Sequence, residues 1–244
     1  MSRMWDGLSR LIYPGRWLAI GIDPGGEHHV ILYAITGRSP SSQARKLELD
    51  GNSVWTKPTD PEVLKKGNPE LLVYPAVIFG RGIAASNGRQ TTDIDTDGAS
   101  SAVSALDSGL APWTYEPDAP IFTPRITGCV LPSGSAALSI IKRSDDGEAF
   151  RAYFEIAPRR GRASLLSTYA GDNREPLAAY SGDPLDIGMG GRTPEDTAEE
   201  AYAALRPAGR AEDFRVAVVC VYARRNDLSD RRLAVINRHE RNRL

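Results

Sequence analysis

Short apolar runs, each closed by glycine, proline or aspartate, constrain this 244-residue chain more than any other feature. Runs of that length suit strands and leave few segments for helices. Trp17 to Ile22 and Val30 to Ile35 read as an opening hairpin around Asp23-Pro24-Gly25-Gly26. Leu71 to Phe79 and Ile83 to Ser86 read as a second hairpin around Gly80-Arg81-Gly82. Four further strands are expected over Arg125 to Leu131, Ala136 to Lys142, Ala149 to Ile156 and Ala163 to Tyr169. Asp145-Asp146-Gly147 supplies the turn between the middle two. Phe214 to Tyr222 and Leu233 to Ile236 close the set.

Two segments carry helical patterns. Asp97 to Leu110 is rich in Ala and Ser, with Val103, Leu106 and Leu110 at helical spacing and Pro112 beyond. Thr193-Pro194-Glu195 begins a helix that runs to about Leu205. Thr193 suits its cap, Pro194 its first position, and acidic residues its positive end. Strand groups followed by single helices argue for α+β layering over a doubly wound sheet. No internal repeat or long linker divides the chain, so residues 1–244 are expected to form one domain.

Composition excludes more than it selects. The formal net charge of −1 gives no reason to expect nucleic acid or membrane partners. Met1 to Arg10 lacks a signal-peptide pattern and no run reaches membrane-spanning length, so a cytoplasmic protein is expected. Cys129 and Cys220 lie in apolar runs without a CxxC pattern, and reduced buried thiols are expected. His28, His29 and His239 lack metal-ligand spacing, so no metal site is expected. Only five of the 30 basic residues are lysine. An arginine excess suits anion recognition, but a GC-rich genome is the simpler account of it.

Several segments, in order, resemble the archaeal and bacterial IMP cyclohydrolases. They are Tyr13-Pro14-Gly15-Arg16, Thr36-Gly37-Arg38-Ser39 with Arg45, and Asn68-Pro69 with Tyr74. Ser86 to Thr91 and the run Tyr115-Glu116-Pro117-Asp118-Ala119-Pro120 come next, then Thr123 to Ile126, Ser167-Thr168-Tyr169 and the Thr193 helix. The resemblance implies a four-layer αββα sandwich of the N-terminal-nucleophile (Ntn) hydrolase type, without the nucleophile or autoprocessing. Ser2 lies well ahead of the first strand, where such a nucleophile would sit. The implied reaction closes the purine ring of formamidoimidazole-carboxamide ribotide and releases water to give IMP. The chain departs from the family at Pro75, Ile78 and Arg89, which keeps two alternatives open. One is a paralogue cyclising a purine-analogue precursor; the other is a noncatalytic nucleotide-binding protein.

Such a reaction needs two coplanar arms, a donor on the formyl oxygen, a base for the carboxamide nitrogen and an acid to expel water, and no cofactor is expected for it. The resemblance points to Arg38, Tyr74 and Glu116 as catalytic. It points to Arg45, Asn87, Gln90, Thr91, Arg125 and Tyr169 as contacts to a ribonucleotide, and leaves a homo-oligomer open. Each has a plain structural reading beside it. Arg38 and Arg45 read as surface arginines of a polar loop, Tyr74 as core, and Asn87-Gly88 as a tight hairpin turn. The Gly188 to Gly191 stretch lacks P-loop spacing and reads as a flexible loop. The tail from Arg224 to Arg243 interleaves both charges and reads as a solvated edge.

Overall fold

A computed structural model of the chain describes residues 4–64, 68–206 and 212–241. Ser2 and the end of the basic tail at 242–243 lie outside the described residues. The fold is mixed α and β, dominated by two antiparallel sheets.

The first sheet takes β1 (Arg16–Ile22), β2 (His28–Thr36), β10 (Arg162–Ser167), β11 (Leu185–Gly188), β12 (Arg215–Arg224) and β13 (Asp227–Asn237). Its strand order is β11-β10-β1-β2-β12-β13. The second takes β3 (Arg45–Asp50), β4 (Ser53–Pro58), β5 (Pro75–Phe79), β6 (Ile83–Ser86), β7 (Arg125–Val130), β8 (Ala136–Arg143) and β9 (Ala149–Glu155), hydrogen-bonded in sequence order. The two longer helices are α5 (Ala102–Leu110) and α6 (Pro194–Ala204). Single turns make up the rest: α1 (Asp6–Ser9), α2 (Pro40–Gln43), α3 (Pro61–Leu64), α4 (Pro69–Leu72) and α7 (Arg238–Arg241).

Both expected hairpins form, with Trp17 opposite Ala34 in the first and Val77 opposite Ala85 in the second. Strands β1 and β2 are buried along nearly their whole length, so they read as continuous apolar runs. One set of their side chains, including Leu18, Ile20, Ile31 and Tyr33, packs against Leu47, Val77 and Leu138 of the second sheet. The opposite set, including Trp17, Leu32 and Ala34, packs under Ala198, Ala201 and Tyr202 of α6. On the second sheet, Cys129, Ala137 and Ile141 pack under Ala105, Leu106 and Leu110 of α5. Cys129 and Cys220 are both free and buried. No helix among the described residues is long and apolar enough to cross a membrane.

Four local expectations need correction. Arg45 starts strand β3; it does not sit in a loop. The run at 71–79 is divided by α4, capped by Asn68, and only then becomes β5. The first long helix begins at Ala102, because Ser101 and Ser104 form a reciprocal cap there. Asn87-Gly88 is not a hairpin turn: a 3-10 turn at Arg89–Asp93 and α5 intervene before β7.

Candidate active site

A cavity of about 280 Å³, just below the usual range for small-molecule sites, opens where β1 begins. Its wall draws on the start of β1, the α2 turn and the segments carrying residues 116–123 and 169–177. Gly15 makes this junction possible. Its φ is +72°, and a Cβ there would run into the Thr168 hydroxyl and the Tyr169 ring. With no side chain in between, the Arg16 amide donates to the Thr168 hydroxyl at 3.2 Å.

Arg16 and Glu116 meet on this cavity, with Nη2 2.5 Å from Oε1. Asn87 Nδ2 donates to the same Oε1 at 3.1 Å and to the Pro124 carbonyl at 2.9 Å. The Asn87 Oδ1 accepts from the Ile126 amide at 2.8 Å and from Gln90 Nε2 at 3.2 Å. Asn87 is thus a buried strut that fixes the carboxylate to β7. Glu116 Oε2 has no hydrogen bond among the described residues, so one oxygen is left for a ligand. The Arg16 Nε is buried and likewise without a partner among them. Burial raises the Glu116 carboxyl above its ordinary range, opposed by the charges of Arg16 and Arg125. Glu116 in turn holds the Arg16 guanidinium fully charged despite its burial.

Asp118 closes the loop next to Glu116. Its two oxygens accept from the Thr123 amide at 2.6 Å and the Thr123 hydroxyl at 2.5 Å. Thr123 also meets the Tyr169 hydroxyl at 2.7 Å. Burial pushes the Tyr169 phenol up to about 12, so it stays protonated at neutral pH. Tyr169 stacks on Tyr13 with centroids 5.6 Å apart, and the Arg38 guanidinium lies 4.9 Å from the Tyr13 centroid. Arg38 pairs with exposed Glu175 at 2.8 Å and donates to Asn173 at 3.2 Å. It therefore stands at the cavity's solvent side, where Ser39, Ser41 and Ser42 also line the wall.

Of the expected residues, Arg38, Glu116 and Tyr169 line the cavity. Asn87 reaches it only through Glu116. Tyr74 is fully buried and does not line the cavity; its hydroxyl lies 2.6 Å from that of Tyr33. Gln90 and Thr91 belong to the 3-10 turn, with Thr91 bonded to Ser86 and the Gly88 carbonyl. Arg125 lies over Trp113 at 4.8 Å and donates to Thr114 and Gln90, so it packs beneath the site. Arg45 lines a different cavity, on the other side of α2. Arg16, Tyr13 and Thr123 line the site although the sequence pattern gives them no ligand role. A signal for them exists all the same: Tyr13 to Arg16 and Thr123 to Arg125 both lie in the resembling motifs. Pro75, Ile78 and Arg89 do not line the cavity.

The family described as IMP cyclohydrolase-like protein matches residues 13–227. The chain belongs to that family. The match spans the whole second sheet, the first sheet through β12, and every residue of the cavity wall, from Tyr13 to Leu177. Membership of the IMP cyclohydrolase-like family points to cyclohydrolase-type chemistry, and the buried carboxylate and guanidinium supply groups that such chemistry uses. No curated protein matches the chain.

Proposed function

We propose that this protein closes the purine ring of formamidoimidazole-carboxamide ribotide, giving IMP and water. The observation that carries the reading is the Arg16–Glu116 pair: a buried carboxylate with one committed and one free oxygen, on a cavity of ligand size in a cyclohydrolase-like chain. In this reading the ring-closing step forms one bond, from the carboxamide nitrogen to the formyl carbon. That nitrogen gives one proton to Glu116 Oε2, which delivers it to the formyl oxygen to make a hydroxyl. The formamide nitrogen then loses its own proton as the ring C=N bond forms. The hydroxyl leaves with that second proton, as water. A carboxyl raised by burial suits both halves of the exchange. Arg16 stabilises charge growing on the formyl oxygen. Tyr169 and Tyr13 present an aromatic wall to the heterocycle, and Arg38 with its neighbouring serines takes the phosphate. Tyr74, Asn87 and Arg125 act through Arg16 and Glu116 as positioning residues.

The same reading takes the chain as one cytoplasmic domain whose layers are those of the αββα sandwich. A purine-analogue substrate is less well supported, because the three departures from the family lie away from the cavity wall. Calorimetric titration with IMP tests the ligand assignment. Saturable binding that Arg38→Ala weakens at least ten-fold is expected. Binding unaffected by both Arg38→Ala and Tyr169→Ala would move the ligand elsewhere.

A further inference from the structure

We propose that the cavity on the far side of α2 is a second anion site, built to take a phosphoryl oxyanion. This cavity, of about 400 Å³, is lined by Gln43, Arg45, Asp60, Arg238 and His239 among others. Arg45 is only 2% exposed, yet it has no carboxylate partner among the described residues. Its Nε donates to the Ser42 carbonyl at 2.9 Å, and its Nη1 is buried with no hydrogen-bond partner among them. Arg238 donates there to neutral acceptors: the carbonyls of Asp213 and Arg215 at 2.8 and 3.2 Å, and Gln43 Oε1 at 3.4 Å. His239 keeps Nδ1 buried and unbonded, with Nε2 3.6 Å from Glu240.

Buried guanidinium groups ordinarily have a counterion, because desolvating an unpaired charge is costly. The acid on this cavity wall is Asp60, which is exposed and accepts from the Glu62 amide; it makes no ion pair with Arg45 or Arg238. An adjoining cleft of about 620 Å³ shares Gln43 and Arg238 and adds three more arginines. Two of these three are paired there, Arg215 with Asp213 at 2.6 Å and Arg241 with Glu199; Arg206 makes no ion pair among the described residues. On the α2 side, Arg45 and Arg238 make no ion pair among the described residues, and the Arg45 Nη1 is buried without any partner among them. A tetrahedral oxyanion offers several acceptors to two planar guanidinium forks and an imidazole, which a single carboxylate does not. The α2 turn separates the two cavities. Ser39, Ser41 and Ser42 line the first, while Pro40, Gln43 and Ala44 line the second. An anion held by Arg45 would brace the turn that also borders Arg38.

The test is an amide and arginine Nε chemical-shift titration of the full chain with inorganic phosphate, repeated with ribose 5-phosphate. Saturable shifts at Ala44, Arg45 and His239 are expected, with affinity at least ten-fold weaker in Arg238→Gln and retained in Arg38→Ala. Tighter binding of inorganic phosphate would identify the free ion as the occupant; tighter binding of the ester would identify a sugar phosphate. Shifts confined to Arg38, Ser39 and Tyr169, non-saturating shifts, or unchanged affinity in Arg238→Gln would each overturn the proposal. If Arg238→Gln fails to fold, the wild-type shift map decides by itself.

Discussion

Arg16 and Glu116, 100 residues apart in sequence, meet at 2.5 Å on the wall of the cavity, and Asn87 holds the same carboxylate oxygen from the other side. The pair is buried, so each charge depends on the other. Truncating one partner leaves an uncompensated buried charge, which typically costs about 3–5 kcal/mol. Glu116→Ala and Arg16→Ala are each expected to lose stability of that order in urea melts. The double variant should lose clearly less than the sum, and full additivity would show that the pair is not coupled.

The Tyr33 and Tyr74 hydroxyls bond to each other at 2.6 Å inside the core. Tyr74→Phe leaves the Tyr33 hydroxyl buried without that partner, at a cost of roughly 1–3 kcal/mol. The double change to Phe should recover part of it. In turnover assays Tyr74→Phe should lower kcat and leave KM nearly unchanged, because the ring still packs and the hydroxyl does not reach the cavity. A large rise in KM would place Tyr74 against the ligand instead.

Arg38 at the mouth behaves differently. It pairs with exposed Glu175, and such pairs contribute at most about 1 kcal/mol to stability. Glu175→Gln should leave the melt unchanged and lower KM, since it releases Arg38 for the phosphate. Arg38→Ala should raise KM at least ten-fold with a smaller effect on kcat. The reverse split, in which kcat carries the loss, would make Arg38 a transition-state contact.

His29 does not line the cavity but sets an acid limit. Burial, aided by Arg225, lowers its pKa from 6.5 to about 4. The unfolded chain therefore takes up this proton before the folded one does. Its contribution is fully present above pH 6.5 and fades as pH falls toward 4, by at most ~3 kcal/mol. Stability measured by urea at pH 7 and pH 4.5 should show this loss. His29→Leu should flatten it, and an unchanged slope would assign the acid sensitivity to other groups.

Burial decides which parts of this arrangement are legible in the sequence. Strands covered on both faces, such as β1, β2 and β12, are unbroken apolar runs and stand out. Strand β3 does not: Lys46, Glu48 and Asp50 alternate with Arg45, Leu47 and Leu49, and it lies at a sheet edge. The short edge strand β11 is hidden for the same reason, since its Asp186 pairs with Arg159 and Arg162. At the site, Arg38, Glu116 and Tyr169 stand out because their motifs are unbroken in the chain. The partnership of Arg16 with Glu116 does not, because strand pairing of β1 with β10, and the fold of the 116–123 loop, decide it. Arg45 reads as a loop residue near Arg38 because nothing local says that α2 stands between them.

The most direct test is the initial rate of IMP formation from formamidoimidazole-carboxamide ribotide, read by absorbance across pH for the protein and for Glu116→Gln. Turnover is expected, rising with pH through a group titrating above the usual carboxylate range, because burial raises Glu116. Glu116→Gln should lower kcat by about 10²–10⁴ and remove that limb of the profile. Turnover that keeps its rate and its pH profile in Glu116→Gln, with the variant folded, would contradict the central claim.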